Sequence, residues 1–178
     1  MPKIEVPFDQ YLREATLALS RDGALLVSLD ESGRPNPMTI GWATAGVIWG
    51  KPIYVVLVRP SRYTYGCLDA TGDFTVNIPY AEQSDAAVFC GTKSGRDYDK
   101  FAECGLTPEL SATIQSPGIA ECGLIYECRV VHYNDIIPGN LARDIITSAY
   151  PSGDFHRCYY GEILRTVADE DFVERFGN

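Results

Sequence analysis

Six apolar residues, IYVVLV at 53–58, run without interruption until Pro60 stops them shortly after. A strand buried on both faces reads this way: continuous, β-branched and short. Proline cannot donate a ladder hydrogen bond, so the strand ends there or lies at an edge. This run constrains the fold most because it is one of many β-prone segments at short spacing. ALLVSLD (24–30) reads as a strand and ESGRPNP (31–37) as a turn. MTIGWATAGVIW (38–49) is β-prone but broken by Gly41 and Gly46, which in a strand mark a bulge or a close approach by a ligand. DFTVNI (73–78) alternates and is closed by Pro79. Further β-stretches are expected around 111–116, 123–133, 141–150 and 158–166. The helical signals are few and short: 8–20, 62–71 ended by Gly72, 82–91 with Ser84 as N-cap, a short helix at DKFAEC, and 169–176. Strands and helices do not alternate regularly, which argues against a doubly wound parallel sheet. A mainly β, closed antiparallel sheet with a few short helices is expected.

The 178 residues fit one domain spanning 1–178. A chain of that length buries roughly 70% of its unfolded surface, so it needs no staple. The formal net charge of −9 argues against non-specific nucleic-acid binding, which depends on clustered Lys and Arg. Any anionic ligand must then be held by a local positive site. The first residues lack a basic stretch followed by an apolar core, and no run is long enough for a membrane span. A cytoplasmic protein without membrane contact is expected. The six cysteines form no CxxC and have no histidine at zinc-finger spacing. They read as reduced, mostly buried thiols, with no metal site.

Four stretches can carry chemistry. In RPSRYT (59–64), Ser61 is a candidate N-cap with Thr64 three residues on. Two hydroxyls, Arg59, Arg62 and the free N–H groups of a helix start make an anion site, most naturally for phosphate. A capped helix with two solvated arginines is the alternative. GTKSGRDYDKF (91–101) is not a P-loop, yet it can bring Ser94 or Lys100 to the same anion. In NPMTIGWATAG (36–46), small residues surround Trp42, so a flat ring could lie on this backbone; core packing is the alternative. In GDFHRCYYGEI (153–163), His156 follows a turn and is expected to be exposed, whereas His132 lies in a β-stretch and is expected to be structural. A histidine near neutral pKa can move a proton. G-x-S-x-G, HExxH and G-x-G-x-x-G are absent.

In order, NPMTIGWATAG, KPIYVVLVRPSRYTYGCLDATGDFTVNIP, CGTKSGRDYDKFAECGL and ECRVV resemble the flavin reductase-like family of FMN-binding split barrels, closest to its flavoredoxin-like branch. The resemblance spans roughly residues 36–131, and GDFHRCYYGEI also looks similar. It implies an antiparallel split β-barrel of Greek-key type, a homodimer, and one FMN per subunit near the interface. It assigns the phosphate to Arg59, Ser61, Arg62 and Thr64, with Lys100 as a helper; Ser94 stays a candidate from its own stretch. It runs Thr39, Gly41 and Trp42 along the flavin and places Asn77 near the same ligand. His156 and Arg157 become candidates for the substrate side, His156 as the catalytic one.

An FMN-dependent oxidoreductase is the expected activity. Electrons would come from NAD(P)H or a reduced protein and pass to a flavin, a metal complex or a protein acceptor. The alternatives are a flavoredoxin-type FMN electron carrier with little turnover, or a non-redox protein for another phosphate-bearing ligand.

Overall fold

Only Gly41 and Trp42 separate two strands that lie at opposite ends of the main sheet. In this computed structural model, which describes residues 3–177, the chain runs β1 (Ile4–Glu5), α1 (Leu12–Ser20), β2 (Ala24–Leu29), β3 (Pro35–Ile40), β4 (Ala43–Ile48), β5 (Lys51–Val58), α2 (Tyr63–Thr71) and β6 (Asp73–Ile78). It continues through α3 (Ser84–Thr92), α4 (Lys100–Cys104), β7 (Pro108–Glu109), β8 (Gly118–Ile119), β9 (Leu124–Asp135), α5 (Arg143–Ala149), β10 (Arg157–Ala168) and α6 (Phe172–Phe176). The strand order is β3-β2-β6-β9-β10-β5-β4, with β1 added to β10, and every pairing is antiparallel. Seven strands laid flat would put β3 and β4 roughly 29 Å apart at the usual interstrand spacing. Two linking residues cannot reach that far. The sheet therefore curls until its first and last strands meet, and no ladder joins them. The result is a split barrel, with non-consecutive neighbours β2–β6 and β5–β10 giving its Greek-key connections.

The interior is filled from both halves of the sheet: Leu26, Val56, Val58, Phe74, Val76, Tyr126 and Tyr159 are all 0–1% exposed. Gly161 is needed there, because a Cβ would lie 2.5 Å from the Phe74 ring. A second apolar cluster of Leu25, Val27, Cys90, Phe101 and Ile119 joins the other face of β2 to α3 and α4. That cluster fixes the two helices beside β3 and the start of α2.

The structure corrects several expected elements. The interruption expected at Gly41 is there, between β3 and β4, but the one expected at Gly46 is not, since Gly46 lies within β4; Trp49 and Gly50 (φ 55° and 70°) make the tight turn from β4 into β5. The 111–116 segment is a loop, held by carboxylates that accept its backbone N–H groups: Asp73 from Gln115 and Ser116, Glu127 from Ala112 and Thr113. The 141–150 segment carries helix α5, not a strand. Its β-branched residues are mostly solvent-facing, so they supply no buried strand face. Arg62, not Ser61, takes the N-cap position of α2, and Ser84 is the first residue of α3, preceded by a short 3-10 turn.

Candidate functional site

At the start of α2, the Thr64 side chain is buried and its Oγ1 accepts a 2.9 Å hydrogen bond from the Asn36 Nδ2 amide on β3. The acceptor role leaves the Thr64 hydroxyl hydrogen free to point at a ligand. Lys100, only 4% exposed at the start of α4, donates from Nζ to the carbonyls of Pro37 (3.0 Å) and Cys90 (2.9 Å). An ammonium has a third N–H, and Lys100 lines a cavity that it shares with Ser61, Arg62, Thr64, Ser94 and Arg96. Burial pushes its pKa below the ordinary lysine value. Ser94 Oγ accepts from the Arg96 backbone N–H and so closes the loop over this cavity. No carboxylate lines it, although the whole chain is acidic. Its charge and its hydroxyl and ammonium donors suit an anion.

A second cavity lies along the seam between β3 and β4. It is lined by Thr39, Gly41, Trp42, Leu57, Arg59 and His156, and it shares Met38 and Arg62 with the cationic pocket. Trp42 is 45% exposed, with its ring centroid 5.0 Å from that of His156. The Thr39 hydroxyl donates to the Ala87 carbonyl and ties β3 to α3. His156 is buried and its Nδ1 lies 2.8 Å from the Tyr150 hydroxyl. Desolvation first, then the Arg59 and Arg62 charges, push the His156 pKa down to about 4, against an opposing pull from Asp154. His156 is therefore neutral at pH 7. His156, expected to be exposed, is buried instead, because Tyr150 and Trp42 pack on its ring; His132 lies on β9 as expected, exposed but packed on Trp49 and Tyr160.

Three of the expected residues stand elsewhere. Arg59 lies at the seam and not in the cationic pocket; its guanidinium donates to backbone carbonyls of Ala149, Gly153 and Asp154. Asn77 is fully buried and outside both cavities, since its amide serves Leu25, Thr75 and Ile119. Arg157 pairs with Asp135 at 2.7 Å and its guanidinium lies over the Tyr65 and Tyr133 rings. Ser61 borders the cationic pocket, but its N–H and hydroxyl both contact the Asp154 carboxylate. Sequence reasoning missed Asn36, Tyr150 and Asp154. Asn36 had a weak signal, a polar residue in an otherwise turn-like ESGRPNP; the other two had none.

A split antiparallel barrel whose seam cleft adjoins a cationic, hydroxyl-lined pocket defines the class. The chain matches the family described as "Flavin reductase like domain" over residues 18–175 and belongs to it. A protein of Archaeoglobus fulgidus is 30% identical over 141 residues, covering 79% of this chain and 70% of that one. The solved flavoredoxin of Desulfovibrio vulgaris is 28% identical with a TM-score of 0.67, over 83% of this chain and 69% of that one. An FMN-binding domain of a flavin reductases-like enzyme from Shewanella baltica, 20% identical with a TM-score of 0.66 over 94% and 78%, shares the fold. Among the described residues, no cluster suited to a metal ion and no helix long and apolar enough to cross a membrane is present.

Proposed function

We propose that the chain binds FMN and acts as an oxidoreductase, taking electrons from NAD(P)H or a reduced protein and passing them to a flavin, a metal complex or a protein acceptor. The observation that carries this reading is that Met38 and Arg62 line both cavities, so one ligand with a flat ring and a terminal anion spans them. Arg62, Thr64, Ser94 and Lys100 would hold the phosphate, and Thr39, Gly41 and Trp42 would lie along the flavin. Bound FMN supplies the hydride and electron chemistry. The protein's own residues bind, orient and neutralise. Arg62 and Lys100 balance the phosphate charge with charge-assisted bonds. The Thr64 hydroxyl, aimed by Asn36, adds a directed donor. Trp42 walls the cleft, and neutral His156 offers a hydrogen bond beside it without adding charge.

A visible spectrum of protein loaded with FMN, followed by anaerobic titration with NADH and NADPH, tests this. Protein that stays colourless after exposure to FMN overturns it. A flavoredoxin-type carrier is the second reading, favoured by similarity to flavoredoxin and by an acidic surface suited to docking a basic partner. Flavin that is reduced by a protein donor but not by either nucleotide selects it.

The same reading includes a homodimer. Trp49 (61% exposed), in the turn between β4 and β5, packs on the exposed His132 and on Tyr160, and Val47 (66%) stands two residues before it on β4. Single exposed apolar residues are ordinary, but a cluster of this kind marks an interface. A monomer in sedimentation experiments removes this part. Six unpaired thiols suit a reducing compartment, so we place the protein in the cytoplasm.

A further inference from the structure

We propose that Arg59, Ser61 and Asp154 form a latch that holds the 149–156 segment against the ring cleft, and that all three are positioning residues for Tyr150 and His156, not phosphate ligands.

The geometry is specific. Arg59 bridges three backbone carbonyls: Ala149 at 2.9 Å, Asp154 at 3.0 Å and Gly153 at 3.4 Å. Its guanidinium lies 5.0 Å from the Tyr150 ring centroid and 6.0 Å from that of Trp42. A guanidinium so engaged has most of its donor directions fixed. Ser61 gives Asp154 its N–H at 3.3 Å and its hydroxyl at 2.5 Å. The protein's own carboxylate thus takes the two donors that a ligand anion would need. Gly153 and Asp154 adopt φ of 76° and 57°, which folds the chain back so that both carbonyls and the carboxylate converge on one place. Aspartate is among the few side chains that tolerate this region. Within the segment, Tyr150 stacks on Phe155 at 4.6 Å and its hydroxyl meets His156 Nδ1 at 2.8 Å. The latch therefore sets the position of the one histidine at the cleft. The charged groups facing His156 are Arg59, Arg62 and Asp154, with Tyr150 as its hydrogen-bond partner. Its depressed pKa, partly caused by Arg59, agrees with this placement.

The FMN readouts rest on the flavin reading above, but the histidine readout does not. In flavin-free protein, the His156 ring is titrated by NMR, assigned with a His156→Gln variant. Arg59→Gln is expected to raise the His156 pKa by about one unit or more, since a nearby like charge is removed. FMN affinity should stay within about threefold of the parent, because no phosphate bond is lost. In the FMN-loaded protein, turnover should fall through kcat and not KM, with a pH profile that gains an inflection at the new His156 pKa. FMN bound roughly tenfold or more weakly, with the His156 titration unmoved, would make Arg59 a phosphate ligand and overturn the latch. Ser61→Ala, at an exposed position, asks the same question with less risk to folding. Amide hydrogen exchange across 149–155 should quicken about tenfold with FMN affinity within about threefold. Unchanged exchange with tenfold weaker FMN contradicts the proposal. If neither parent nor variants bind FMN, the flavin reading fails, and the histidine titration and the exchange rates still judge the latch.

Discussion

Asn36 Nδ2 and Thr64 Oγ1 meet at 2.9 Å, both buried, across the gap between β3 and the first turn of α2. The bond turns a threonine that could have faced either way into a donor aimed at the cationic pocket. Asn36→Ala should therefore weaken FMN binding by about 3- to 10-fold, the worth of one hydrogen bond, while riboflavin binding stays the same. Parallel fluorescence titrations with both flavins check this. Equal losses for the two would place Asn36 outside the phosphate site.

Gly95 is packed where no side chain fits. A Cβ there would lie 2.0 Å from Asn36 Oδ1 and 2.6 Å from the Tyr63 ring. Gly95→Ala must push the Asn36 amide or the loop aside. It should cost about 1–3 kcal/mol of stability, as overpacking does, and weaken FMN more than Asn36→Ala does. Urea unfolding alongside FMN titration reads both.

Lys100 links binding to pH. Burial holds its folded pKa below the unfolded value, so the unfolded chain binds the proton more tightly in the window between the two. Lys100 therefore opposes folding at lower pH, and that cost fades as pH rises through the window. FMN binding has the opposite trend. The phosphate needs the ammonium, so affinity should fall as pH rises through the folded pKa, and Lys100→Gln should remove the trend. A lysine-to-phosphate bond is worth roughly 1.5–3 kcal/mol, so the variant should also bind more than about tenfold less tightly at neutral pH. FMN titrations from pH 7 to pH 10 show whether the slope is there.

His156 affects folding with the same sign as Lys100, at lower pH. Its folded pKa of about 4 lies below the unfolded value, so the unfolded state takes up a proton first as pH falls. Folding stability should drop by up to about 3 kcal/mol between roughly pH 6.5 and pH 4, at about 1.4 kcal/mol per pKa unit. Thermal melts of the parent and His156→Gln over this range should differ in acid sensitivity and converge near pH 7.

What was legible in the sequence was what local chemistry decides. Pro60 follows a β-branched run and hydroxyls and arginines follow it, so the strand-to-helix junction that puts Ser61, Arg62 and Thr64 at one cavity could be read from a dozen residues. In 38–49 the break at Gly41 was legible, but that it and Trp42 link strands at opposite ends of the sheet was not, because the strand order depends on pairings distant in sequence. The latch was illegible for a different reason. Arg59 finds its carbonyl acceptors, and Ser61 its carboxylate, some 90 positions downstream. Nothing in RPSRYT distinguishes an arginine aimed at phosphate from one aimed at a distant backbone. The loop at 111–116 was misread likewise, because the carboxylates that hold it, Asp73 and Glu127, sit on strands far from it in sequence.

In the proposed complex one FMN spans the seam cleft and the cationic pocket, with its phosphate at Arg62, Thr64, Ser94 and Lys100. Comparing FMN with riboflavin on the parent protein and on Arg62→Ala tests it most directly. FMN should bind the parent about 100-fold more tightly than riboflavin, from two or more charge-assisted bonds to phosphate, and Arg62→Ala should narrow that gap by about tenfold. Equal affinity of the parent for the two flavins, or a gap that Arg62→Ala leaves unchanged, would contradict it.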